Sequence, residues 1–164
     1  MTPAQREYLL SLDSSTLLMS PEVNALVAEL WMEWVRVELV PEMFRRPATH
    51  AWQKPNGTYE PFAWHPSTNV AHAVEAMLAA DGSRLTHATQ NVHVGIWTGR
   101  RQWRTGIVWY SETDNDKGKA MALAIVRAIV AAMQAAEKAK ESCAECACGA
   151  KVAEYRRRIS TESS

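Results

Sequence analysis

From Lys119 to Met133 the chain is alanine-rich, with Met121, Ile125, Ile129 and Met133 at helical spacing and Leu123, Val126 and Val130 widening the apolar face. A helix with so little polar surface must be covered on most of its circumference, so it predicts a core helix around which the remaining elements are arranged. One residue interrupts that surface. Arg127 carries a permanently charged guanidinium, and burying it unpaired is costly, so it must reach a carboxylate, a phosphate or water. Lys119, two four-residue steps earlier, lies on roughly the same side of the helix.

The rest of the chain is long enough to supply the cover. At 164 residues with 47% hydrophobic content it has the size and composition of about one globular domain. Residues 1 to 19, leucine-rich around Ser14-Ser15, read as a short helix or packed arm. Ser20-Pro21 is a cap and first-turn pair opening a helix through Val23, Leu26, Val27, Leu30, Trp31, Trp34 and Val35 toward Leu39. Prolines at 41, 47, 55, 61 and 66 then predict a loop of about 25 residues with a turn at Pro55-Asn56-Gly57. A helix from Ser67 stops near Asp81-Gly82. Asn91 to Trp97 and Thr105 to Tyr110 alternate as strands of an antiparallel hairpin, in which Gly95 and Gly106 point to a close backbone approach or a bulge. The expected division is an arm over 1–19, a domain over 20–140 and a helical, partly disordered tail over 141–164.

Several stretches invite a functional reading, each beside a structural one. Trp64-His65-Pro66-Ser67-Thr68-Asn69 places aromatic and imidazole groups at a capped helix start, whose outward N–H groups can hold an anion or simply begin the helix. Arg100, Arg101 and Arg104 with Trp103 in the hairpin loop match a phosphate-and-ring contact set, and equally a solvated tip. Cys143, Cys146 and Cys148 offer three thiolates where structural zinc wants four ligands, so no metal site is assigned. His65 or His72 as a base and Ser67 as a nucleophile come with no recognised catalytic motif, and Glu75 at three residues from His72 suggests a local pair. Lys plus Arg and Asp plus Glu stand at 18 each, which argues against a dedicated nucleic-acid binder while leaving room for a local patch. Seven tryptophans are the one unusual count, and Trp is favoured in cores, at interfaces and beside ligand rings.

The helix around Asn24 to Trp34, the start Pro66-Ser-Thr-Asn with the helix running to Met77, and the alanine-rich helix Ala122 to Ala131 with its central arginine resemble, in order and spacing, the phage ABA-sandwich domain family over about two thirds of the chain. Asn69 stands where that family often has Asp. The resemblance implies an α+β fold, a small antiparallel sheet sandwiched between helical layers, here with a C-terminal helical extension, acting in the cytoplasm of a phage-infected host. By analogy at the level of fold it also suggests a homo-oligomeric counter-defence protein, not an enzyme and without a cofactor, that binds and sequesters a nucleotide-derived immune messenger. The expected ligand contacts are Ser67, Thr68, Asn69, Lys119 and Arg127 for phosphate and Trp64, Trp97 or Trp103 stacking on a base, with His65, Arg100 and Arg101 also at the ligand. The alternative is a phage structural or accessory module whose tryptophans form protein interfaces.

Overall fold

The computed structural model describes residues 1–18, 20–38, 50–61, 63–98 and 102–145. The fold is α+β: among the described residues there are four α-helices and two antiparallel three-stranded sheets. Residues 1–133 form one compact unit and 134–164 a second. In the second, the described chain is the end of the last helix, where Lys140 pairs with Glu137.

Helix α1 (Pro3–Ser11) begins with a reciprocal cap: the Thr2 hydroxyl accepts from the Gln5 amide and the Gln5 side chain accepts from the Thr2 amide. Leu9 and Leu17 are in the core, so the N-terminal segment is packed. Helix α2 (Pro21–Leu26) starts where predicted, with the Ser20 hydroxyl accepting from the Val23 amide at 3.2 Å. It does not run to Leu39. After Leu26 it widens into a π-turn over Val27–Trp31. Glu33 then takes a left-handed conformation (φ 57°), and the Trp34 amide reaches back to the Ala28 carbonyl at 2.9 Å, which closes the helix end. Past that stop, the β-branched alternation of Val35 and Val37 is read as strand β1 (Val35–Glu38).

The predicted long loop is also corrected. It contains β2 (His50–Gln53) and β3 (Tyr59–Pro61), which with β1 make the first sheet in the order β1-β2-β3. Their connection is the predicted turn: Gly57 sits at φ 82°, and the Asn56 side chain accepts from the Thr58 amide at 3.0 Å. Helix α3 (Val70–Leu78) is capped by Asn69, whose Oδ1 accepts from the Ala71 and His72 amides at 2.9 and 3.4 Å; the helix expected from Ser67 thus begins three residues later. The Trp31 indole donates to the Ala76 carbonyl at 2.8 Å, tying α3 to the π-turn.

The second sheet is built of β4 (Gly82–His87), β5 (Asn91–Thr98) and β6 (Gln102–Trp109), in that order, with unbroken antiparallel register. Strand β4 lay in a stretch to which the sequence pattern assigned no element. Val92, Val94, Ile96 and Val108 alternate toward one face and are fully buried with Ala124, Ile125, Ala128 and Ile129 of helix α4 (Lys117–Glu145). That helix is long and apolar enough to cross a membrane by length and composition, but 72% of its apolar window is buried inside the protein, as befits a core helix.

Gly106 explains how closely the two layers meet. A Cβ built there would stand 2.0 Å from the Ala124 carbonyl oxygen and 2.7 Å from the Ala128 amide nitrogen, both backbone atoms. Helix and strand touch main chain to main chain, with only hydrogens between them. Substituting Gly106→Ala should therefore force the layers apart and lower stability by on the order of 3 kcal/mol, an overpacking cost at the upper end of its usual range because backbone cannot move aside like a side chain. Urea denaturation of the variant checks this; an unchanged midpoint would mean that the layers are not in contact there.

Candidate functional site

The expected anion site is not assembled. Arg127, 2% exposed, is turned into the protein: its Nε and Nη2 donate to the Leu17 carbonyl at 3.2 and 3.1 Å, Nη1 donates to the Ile107 carbonyl at 2.7 Å, and Nη2 also meets Glu112 Oε2 at 2.7 Å. At least four of the five guanidinium N–H groups thus point at protein oxygens, and a phosphate would have to displace them. Partial burial pushes the Glu112 carboxyl up, but hydrogen bonds from Arg127 and the Trp109 amide, together with the Arg127 charge, outweigh it and hold it below its ordinary value of 4.5. Arg127 is a structural hub joining the N-terminal segment, strand β6 and the Tyr110–Thr113 turn.

The helix-start residues are likewise occupied internally. Ser67 is 1% exposed and its amide donates to Asn24 Oδ1 at 3.1 Å, so it belongs to the core. Asn69 spends its side chain on its own helix, and Thr68, exposed, has its amide on the His65 carbonyl. Lys119 is half exposed and lies 3.8 Å from Asp116, a surface pair of little energetic weight. Arg100 and Arg101 lie outside the described residues.

Trp64 is buried too, and it organises a cluster that the sequence did not reveal. Its ring centroid is 4.7 Å from that of Trp34, and its indole donates to Glu75 Oε2 at 3.0 Å. Lys54 bridges Glu75 and Glu60 at 2.8 Å each and sits 4.7 Å over the Trp34 ring. Burial lowers the Lys54 pKa, but hydrogen bonds and charge from Glu60 and Glu75 more than compensate and leave it raised. A lysine held this firmly as a cation is a poor base or nucleophile, which needs the free amine. The expected His72–Glu75 pair is replaced as well. Glu75 serves Lys54 and Trp64, while His72 Nδ1 accepts from the His65 amide at 3.0 Å and the His65 side chain faces solvent. The cluster fastens α3 to the first sheet.

Trp97 and Trp103, by contrast, lie on the face of the second sheet turned away from α4. Register places its side chains in rows across β4, β5 and β6: Gly82, Trp97, Trp103; Arg84, Gly95, Thr105; Thr86, His93, Ile107; and, on two strands, Asn91 and Trp109. The Trp103 ring leans over Gly95, with Cε3 2.9 Å and Cζ3 3.0 Å from where a Cβ would be, and Trp97 meets it edge-on at 5.1 Å between centroids. Gly95 thus lets an indole lie against strand backbone. Trp103 is 46% exposed, and Ile107 and Trp109 further along β6 are exposed as well. Arg84, exposed in the row that Trp103 covers, has no ion-pair partner among the described residues.

No family model, curated protein or solved structure matches the chain. The reading of the site therefore rests on its own chemistry. Among the described residues no group of three or more His, Cys, Asp or Glu side chains is placed to hold a metal ion.

Replacing Arg127 with Leu should lower stability by about 3 kcal/mol or more, because two backbone carbonyls and the Glu112 carboxylate lose their donor. The pair also sets an acid limit. With the Glu112 pKa depressed in the folded state, its contribution is present above 4.5 and is lost as pH falls through the lower folded value. Urea midpoints measured from pH 7 down to 3 should fall less steeply for Arg127→Leu than for the parent protein; parallel curves would contradict this role.

Proposed function

We propose that the protein is a binding module without turnover, and that its ligand is a nucleotide-like molecule combining a planar ring with phosphate. The observation that carries this reading is the Trp103 indole, 46% exposed and set by its Cε3–Cζ3 edge against Gly95, beside Arg84, which has no ion-pair partner among the described residues. An indole fixed by sheet backbone and by Trp97 loses little freedom when a ring stacks on it, and an adjacent guanidinium supplies the partner for an anionic group. Of the contacts expected from the sequence, Trp97 and Trp103 stay in this site. Arg127, Ser67 and Trp64 leave it.

Binding without turnover agrees with how the ionisable groups are used. Lys54 is held between Glu60 and Glu75, and Glu112 is taken by Arg127. Sequestration of a nucleotide immune messenger, the role suggested by the phage-family resemblance, is one setting for such binding and rests on that resemblance alone. A second reading, a protein-interaction module, is favoured by one observation: Ile107 and Trp109 continue the exposed face beyond the Trp103 shelf.

Titration with cyclic ADP-ribose isomers, ADP-ribose and cyclic dinucleotides, followed by tryptophan fluorescence and calorimetry, tests the proposal. At least one should quench fluorescence and be recovered chemically intact after heat denaturation, and Trp103→Ala should weaken it by about 1 to 3 kcal/mol, the value of one ring stack. If none binds, or if Trp103→Ala binds equally well, the site is wrong; altered product in the recovered ligand would make the protein an enzyme.

A further inference from the structure

We infer that the outer face of β4, β5 and β6 is a track for single-stranded nucleic acid, with Trp103 and Trp109 as two stacking stations. This deepens the nucleotide-binding reading and rests on it: the shelf that takes one ring is the first position of a longer site.

Three observations carry the inference. The first is spacing. Trp103 and Trp109 lie six residues apart on one strand and on the same face, hence about 20 Å apart at the rise of an extended chain. That is too far for one nucleotide to bridge and suits a short run of them, in keeping with sites of roughly 4 to 16 nucleotides on small single-strand-binding folds. The second is form. Both rings are close to half exposed, at 46% and 49%, on a pleated face rather than in a cavity, so a chain can lie across them without threading into a pocket.

The third is charge. The rows of this face contain no Asp or Glu, and their one permanently charged side chain is Arg84. The carboxylate just beyond β6, Glu112, is held by Arg127. A face whose rows hold rings, a guanidinium with no ion-pair partner among the described residues, and no acid is complementary to a phosphate-linked chain of bases. It is poorly complementary to a second copy of itself, which would bring Arg84 no carboxylate. Thr86, His93 and Thr105, between the stations, offer donors and acceptors to base edges. The even charge balance of the whole chain does not oppose this, because the relevant field is that of one face.

The test compares a fluorescein-labelled oligothymidine of twelve nucleotides, read by anisotropy, with thymidine monophosphate and ADP-ribose, read by fluorescence quenching, on the full chain. The oligonucleotide should bind at least tenfold more tightly than either small ligand. Trp109→Ala should weaken oligonucleotide binding about five- to hundredfold and leave the small ligands unchanged, whereas Trp103→Ala should weaken both. Arg84→Gln should weaken the oligonucleotide and flatten its salt dependence. Small-ligand binding with an oligonucleotide no tighter, or insensitive to Trp109→Ala, overturns the track and leaves the nucleotide shelf standing. No binding of either kind overturns both. Self-association lost in Trp109→Ala, by sedimentation and without oligonucleotide binding, overturns the track in favour of a protein interface.

Discussion

The structure depends on helix α4 and strand β6 being able to touch main chain to main chain. An almost wholly apolar helix needs cover on most sides, and the closest cover available is a sheet whose facing residue has no side chain. Gly106 provides that residue, against Ala124 and Ala128. The same contact sets the reach of Arg127, which lies between those two alanines in sequence and bonds the carbonyl of Ile107, the next residue along from Gly106. A larger side chain at 106 would lift the helix and withdraw the guanidinium from all three of its partners together. Packing and electrostatics are therefore one arrangement here, with the buried charge hydrogen-bonded to two backbone carbonyls and a carboxylate.

That close approach also divides the second sheet into two chemistries. On the α4 side its valines and isoleucine are fully buried. On the other side Gly95 repeats the device: the absence of a side chain there admits the Trp103 indole in place of a helix. Two glycines in one sheet thus make two kinds of contact, one with backbone and one with a ring. Trp64 and Trp103, both plausible ligand partners by type, separate on this basis. Trp64 has its indole satisfied by Glu75 inside a cluster of rings and charges, and Trp103 is left facing water.

What could be read from the sequence followed the strength of the local signal. The α4 apolar run, the Ser20-Pro21 start and the β5 and β6 alternation were all legible, because each is a short-range pattern with few competing structures, while Gly106 could be read as a close approach or a bulge. The first sheet was not. Its strands are three or four residues long and embedded among prolines, too short for an alternation to register. Trp31, Trp34 and Val35 kept helical spacing past the helix end, which hid the stop at Glu33, although only Trp31 and Trp34 pack in the core and Val35 is exposed. At the site, the sequence stated correctly that Arg127 must find partners. It could not state that two of them are backbone carbonyls, since every residue carries one. The Ser67-Thr68-Asn69 cluster marked the helix start, but residue type alone did not tell which of the three caps it, and Asn69, nearest the first turn, does.

The bond from Arg127 to Leu17 spans 110 residues of sequence. On a ribosome adding about 5 to 20 residues each second, Leu17 is made on the order of ten seconds before the guanidinium that will hold it. During that interval Leu9 and Leu17, both destined for the core, have neither α4 nor its arginine to dock against. The β5 and β6 hairpin, closed by neighbours in sequence, can form as soon as it emerges, but the N-terminal segment has to wait for the last helix. Assembly here thus runs against the order of synthesis, and Leu17 is secured only long after it is made.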